Sequence, residues 1–254
     1  MEFFVDKDSV VRKIWGSSDT VLFIFAGASA EFALNKAVDW LYFTGRLPSD
    51  PLGRLFSTVR YARDIVFAEK EVALNNIDKI TAIHKGVEDS RGYKMPDWAY
   101  RDVLFMLIHY SIASYELLEN RLSNAEKEEV FQVFYRVGTR MGIPALPQNY
   151  AGWLSAQQLH LQEDLAISNY TTDLYLQYKK NLGFMRYKIL LETQKLIVPE
   201  RVRVLLGMRK FSWLPPVLVI YKLCKKIKLD GLLKAMLLPP AYKSEIKALD
   251  ITSA

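Results

Sequence analysis

Within the stretch 76–87, Ile77, Ile80, His84 and Val87 follow one another at steps of three, four and three. That spacing puts all four on one stripe of a helix. Three of them are aliphatic, so the stripe should face inward and carry His84 with it. An imidazole removed from water needs partners for its ring nitrogens. One answer is a hydrogen bond within the core, the ordinary fate of a lone histidine on an apolar face. The other is a bond to iron. A porphyrin beside this helix would also account for Gly86, a residue type that costs a helix interior ~1 kcal/mol relative to alanine. On the first reading Gly86 merely begins the helix end.

Other residues could share in such chemistry. Arg54, Thr58, Tyr61 and Ile65 lie on one face of the next helix upstream, with Arg54 and Thr58 one turn apart. They form either a surface pair, with Arg54 turned back to Asp50, or a polar pair projecting into a cavity. His109 lies beside an apolar stripe of Leu104, Ile108, Ile112 and Tyr115. It is a second inward histidine or a boundary residue bonded to a carboxylate. Glu31 is the one charge in the apolar run 20–34 and reads as exposed or helix-paired, or else as a buried acid. His160 sits among glutamines and Glu163 and is expected to be exposed.

Several chemistries lack the residues they need. There is no G-x-x-x-x-G-K-[ST] loop, no G-x-G-x-x-G turn, no G-x-S-x-G elbow and no H-E-x-x-H. The residues three before the histidines are Thr81, Met106 and Gln157, so the Glu-x-x-His pairs of helical di-iron proteins are missing. With three histidines and one cysteine (Cys224), a dedicated zinc site is not expected.

The elements that must position these residues are helical. The apolar runs have helical length and spacing, and none alternates as a strand does. Helices are expected from about Thr20 to Tyr42, from Pro51 to Lys70 behind a Ser49 or Asp50 cap, from Asn76 to Val87, and from Asp97 to Asn120. More should follow from Ser123 to Gly142 behind a capping box, from Gln148 to Glu163, from Thr171 to Glu192, and from Pro199 to Gly207. Pro215-Pro216 should break the chain before a basic segment, 218–237. The expectation is an all-α, single multi-helix domain over 1–254.

Half of the 254 residues are hydrophobic, enough for a large core or a roomy pocket. From Arg201 onward there are 11 Lys and Arg against 3 Asp and Glu, and before it 23 against 25. The main body is therefore nearly neutral, which argues against nucleic-acid binding. The basic excess falls in the last fifth, where segment 218–237 mixes lysines with large aliphatics. It either packs on the core with its lysines in water or lies on an anionic membrane surface. The first residues lack the pattern of a secretory signal, and no apolar run reaches the ~20 residues of a spanning helix. These features fit a cytoplasmic protein, with peripheral membrane association left open.

Taken in order, Asp50-Pro51, Arg54-Leu55, Thr58, then Ile83-His84-Lys85-Gly86-Val87, Tyr93, Leu107-Ile108-His109, and Gly142-Ile143-Pro144 with Leu146-Pro147 resemble the latex-clearing protein and MpaB-type oxygenase family. The resemblance is strongest over 19–153. It implies an all-helical fold around b-type haem, with His84 as the iron ligand, Gly86 and His109 beside the cofactor, and Arg54 and Thr58 as catalytic residues on the distal side. It also implies dioxygen and an apolar substrate of isoprenoid type. Some rubber-cleaving members carry a lysine just before that threonine, where this chain has Ser57, which points to an open or water-bound distal site. Their glutamate base has no match by motif; Glu31 and Asp39 are candidates. A non-catalytic haem- or lipid-binding module of the same fold is the alternative.

Overall fold

The computed structural model describes residues 2–45 and 49–226. Among them the chain is all-α, with two isolated β-bridges (Phe3 to Glu69, Asn35 to Leu165) and no strand. A short helix α1 (Val10–Trp15) is capped by the Ser9 hydroxyl, which accepts from the Val11 amide. The run expected as one helix from Thr20 to Tyr42 is two, α2 (Ser18–Phe32) and α3 (Asp39–Phe43). Asn35 explains the break. Its side-chain oxygen takes the Ala37 amide at 2.8 Å, and its amide nitrogen donates to Asp102 at 3.0 Å. A short polar side chain that bonds its own backbone competes with the helix.

Helix α4 (Pro51–Val66) starts as its sequence demands, with Pro51 in the first turn and the Asp50 carboxylate accepting from the Gly53 amide. Helix α5 (Lys70–Arg91) outruns the expected 76–87 at both ends and closes on Gly92 in the left-handed conformation, φ 81°. Then come α6 (Asp97–Leu118) and α7 (Asn124–Arg140), the latter opened by the Ser123/Glu126 capping box. Helix α8 (Tyr150–Glu163) is followed by α9 (Asn169–Ile197), which turns at Gly183, where φ is 71° and ψ 173°. Only glycine adopts that combination without strain. Helices α10 (Glu200–Leu205) and α11 (Leu214–Lys226) complete the described chain. Pro215 and Pro216 lie in the first turn of α11 and do not interrupt the chain, because a helix start leaves its amides unpaired anyway. Of the basic segment 218–237, residues 227–237 lie outside the described residues. No helix among the described residues is long and apolar enough to cross a membrane.

Helix α2 is the central element. It packs most closely on α6 and also on α9, while α7 closes the far side of α6 and α4 pairs with α5. Between them lie Ile14, Trp15, Ile24, Phe25, Phe105, Ile108, Phe131, Phe134 and Trp153. The small residues of α2 serve this packing. A Cβ at Gly27 would stand 2.2 Å from two ring atoms of Tyr110 on α6. That ring is fully buried, and its hydroxyl donates to Glu31 at 2.8 Å, so it cannot swing aside. Gly27→Ala should therefore destabilise the fold by about 1–3 kcal/mol through overpacking, measured by urea unfolding. Wild-type stability in that variant would mean that α2 and α6 do not approach this closely.

Candidate functional site

Two polar centres are set into this apolar framework. The first is built by α4, α5 and the start of α6. His84 on α5 is partly buried, and its Nδ1 is buried with no hydrogen-bond partner. Its ring leans on Tyr100 of α6, with centroids 5.2 Å apart. Tyr100 is held in turn by Glu88, whose Oε1 accepts from the Tyr100 hydroxyl and the Met95 amide, each at 2.9 Å. Burial holds the His84 pKa below its ordinary value, and the positive charge of Arg54 pushes the same way against Glu88. The ring is therefore neutral, the form that can ligate a metal.

Arg54 thus lies within electrostatic reach of His84, although the two come from different helices. Its Nη1 donates to Thr58 Oγ1 at 2.8 Å and Ser57 Oγ at 3.2 Å. Both hydroxyls donate back to the Arg54 carbonyl. Gly86, two residues beyond His84, is exposed on another side of α5, and a Cβ there would meet nothing within 4 Å. No described contact requires a glycine at that position.

His109 is placed deeper, between α6 and the end of α9. Burial keeps its ring below the ordinary pKa, against the opposing pull of Glu31 and the backbone at Ile197. Its Nε2 is buried without a partner. Of the two alternatives for His109, the inward histidine holds, with a backbone contact at Ile197 in place of a carboxylate bond. Asp39 pairs with Arg91 at the end of α5, and the Arg91 guanidinium lies over the Trp40 ring.

The second centre corrects the expectation for His160 and decides the one left open for Glu31. His160 on α8 is 3% exposed, and Glu31 on α2 is fully buried. His160 Nε2 lies 3.2 Å from Glu31 Oε1, and Nδ1 lies 2.8 Å from Asp102 Oδ1 and 3.4 Å from Asp164 Oδ2. Tyr110 and Asn35 donate to the outer oxygens of Glu31 and Asp102. Burial opposes a charged ring, but the bonds and charges of Asp102 and Glu31 outweigh it and push the His160 pKa up to about 10. Asp102, His160 and Asp164 also stand close enough together to hold a metal ion. They line a cleft of about 360 Å³ whose walls include Trp98, Arg101, Phe105 and Leu159. A second cleft, of about 310 Å³, lies over Phe4, Leu74, Tyr135 and Arg136. Neither borders His84.

A signal for the second centre was present in the sequence. Trp153, Gln157, His160 and Asp164 follow at steps of four, three and four, so His160 shares a helix face with a tryptophan. The polar neighbours Gln158, Gln162 and Glu163 concealed it.

Fold and sites together define an all-helical protein with a partly buried, neutral histidine within electrostatic reach of Arg54 and, separately, a buried carboxylate–histidine cluster. The chain belongs to the family of catalytic domains of ER-bound oxygenase mpaB/B′ and rubber oxygenase, whose model matches residues 13–222. No curated protein and no solved structure matches it.

Proposed function

We propose that this oxygenase-family chain uses haem b, held through His84, to oxidise an apolar substrate of isoprenoid type with dioxygen. The observation that carries the reading is the buried, unpartnered Nδ1 of His84 in a ring kept neutral beside Arg54. A neutral imidazole with a free nitrogen is the donor that haem iron takes. When bound, the haem supplies the dioxygen-activating iron.

The chain's own residues supply the rest. Tyr100, fixed by Glu88, sets the angle of the His84 ring. Arg54 brings a fixed positive charge that favours a partially negative oxygen or a propionate. Thr58 holds that guanidinium in place through its hydroxyl oxygen. Ser57 has no amine to compete for a ligand position. The exposed Val219 and Ile220 on α11, beside Lys222, support peripheral contact with an anionic membrane, from which an apolar substrate would arrive.

The test is an absorption spectrum of the purified protein together with oxygen uptake over a panel of prenylated substrates. A Soret band with uptake is expected. No Soret band, even after reconstitution with hemin, would overturn the haem reading, and a Soret band without turnover would leave a haem-binding module. Arg54→Ala should keep the Soret band while lowering diatomic-ligand affinity or oxygen uptake on the order of tenfold, as loss of a charge-assisted hydrogen bond would. A variant equal to wild type in both would remove Arg54 from the site.

A further inference from the structure

We propose that Asp102, His160 and Asp164 bind a first-row divalent metal ion at the floor of the cleft that they line. The inference does not rest on the haem reading and uses none of its residues.

The geometry leaves a place for a cation. His160 Nδ1 faces two carboxylate oxygens at 2.8 and 3.4 Å, and all three donor atoms lie within 4.8 Å of one another. Donors bonded at ~2.0–2.2 Å to one tetrahedral or octahedral ion stand roughly 2.9–3.5 Å apart, and both nitrogen–oxygen separations are already close to that range. A nitrogen lone pair cannot face two carboxylates across such distances with nothing between them. Either a proton or a metal ion must lie there.

Charge favours the metal. Glu31, Asp102 and Asp164 surround one imidazole, and the first two are 0% and 1% exposed. A protonated ring offsets one of the three negative charges. Arg101 lines the same cleft but makes no ion pair with them. A divalent ion in place of the proton offsets one charge more, and uncompensated buried charge is expensive.

The surroundings are those of a metal site. The nitrogen turned away from the proposed ion, Nε2, meets Glu31, so that its N–H donates to a carboxylate and Nδ1 keeps its lone pair. Asn35 bonds the outer oxygen of Asp102, and Tyr110 bonds Glu31. Two of the three ligands, Asp102 and His160, thus have their orientation fixed from behind. In front, the cleft of about 360 Å³ leaves room for water or a small ligand on the open coordination positions. One nitrogen and two carboxylate donors suit Zn²⁺, Mn²⁺, Fe²⁺ or Co²⁺ and exclude a thiolate-selecting ion.

The test uses the full chain, stripped with EDTA. It is dialysed against zinc and titrated with cobalt(II) under visible absorption. One equivalent should bind with a Kd tighter than about 10 µM. Asp164→Asn, a change at the partly exposed ligand, should weaken binding at least about tenfold while lowering the metal-free melting temperature far less than His160→Ala does. Glu31→Gln should weaken it roughly 10–100-fold, as loss of an outer partner does. Failure of the stripped wild type to bind with that affinity would overturn the proposal, and so would an Asp164→Asn variant that binds like wild type. In either case a proton occupies Nδ1.

Discussion

His84→Ala is expected to give a folded, helical protein with little or no haem. The fold should tolerate the change because the imidazole is only partly buried and its Nδ1 has no partner to lose. Removing an unpaired buried polar atom relieves a desolvation penalty that offsets the lost ring contact with Tyr100. Stability should therefore change by no more than ~1 kcal/mol, while haem content, measured as the pyridine haemochrome, falls nearly to zero. His109→Ala should keep its iron ligation, with occupancy lowered at most. Full haem content and an unchanged spectrum in His84→Ala would move the ligand to the other buried imidazole nitrogen without a partner, His109 Nε2. The pH dependence has a defined sign. Both rings are held below their ordinary pKa in the fold. Their contribution to stability is present above an unfolded pKa of ~6.5 and is lost as the pH falls through the folded values. Haem retention in the wild type should fail on the same acidic side.

His160→Ala should lower stability far more than His84→Ala does. It leaves Glu31 and Asp102, both buried, without the cation between them. Breaking a buried ion pair from one side costs about 3–5 kcal/mol. For a chain of this length that lowers the melting temperature by roughly 10 °C or more. The comparison belongs in EDTA, so that metal binding does not contribute. Adding Glu31→Gln to His160→Ala should then cost less than Glu31→Gln alone, because without the His160 ring the Glu31 carboxylate has no ion pair left to lose. The gap between wild type and His160→Ala should also narrow with pH. The His160 pKa is raised to about 10. Its stabilisation is complete below ~6.5, where the unfolded ring is protonated too, and disappears as the pH rises through about 10. A gap that is constant from pH 7 to 10 would show that the ring is neutral in the fold.

Local rules settled much of this protein. The Ser123/Glu126 capping box and the Asp50-Pro51 start are written in consecutive residues, and the structure has both. The inward face of His84 and the one-turn pairing of Arg54 with Thr58 follow from helical spacing alone, since each pair of groups lies on one helix. The order of these segments also carried the family. Tertiary structure decided the rest. Glu31 and His160 are 129 residues apart; taken with its neighbours only, His160 reads as exposed and Glu31 stays open between a solvated and a buried acid. A polar group is buried when its partner arrives from another helix, and no periodicity within one segment reports that arrival. The break between α2 and α3 has the same origin. Asn35 leaves the helix to bond Asp102, a residue 67 positions away, and the apolar run that suggested one long helix contains no record of that partner.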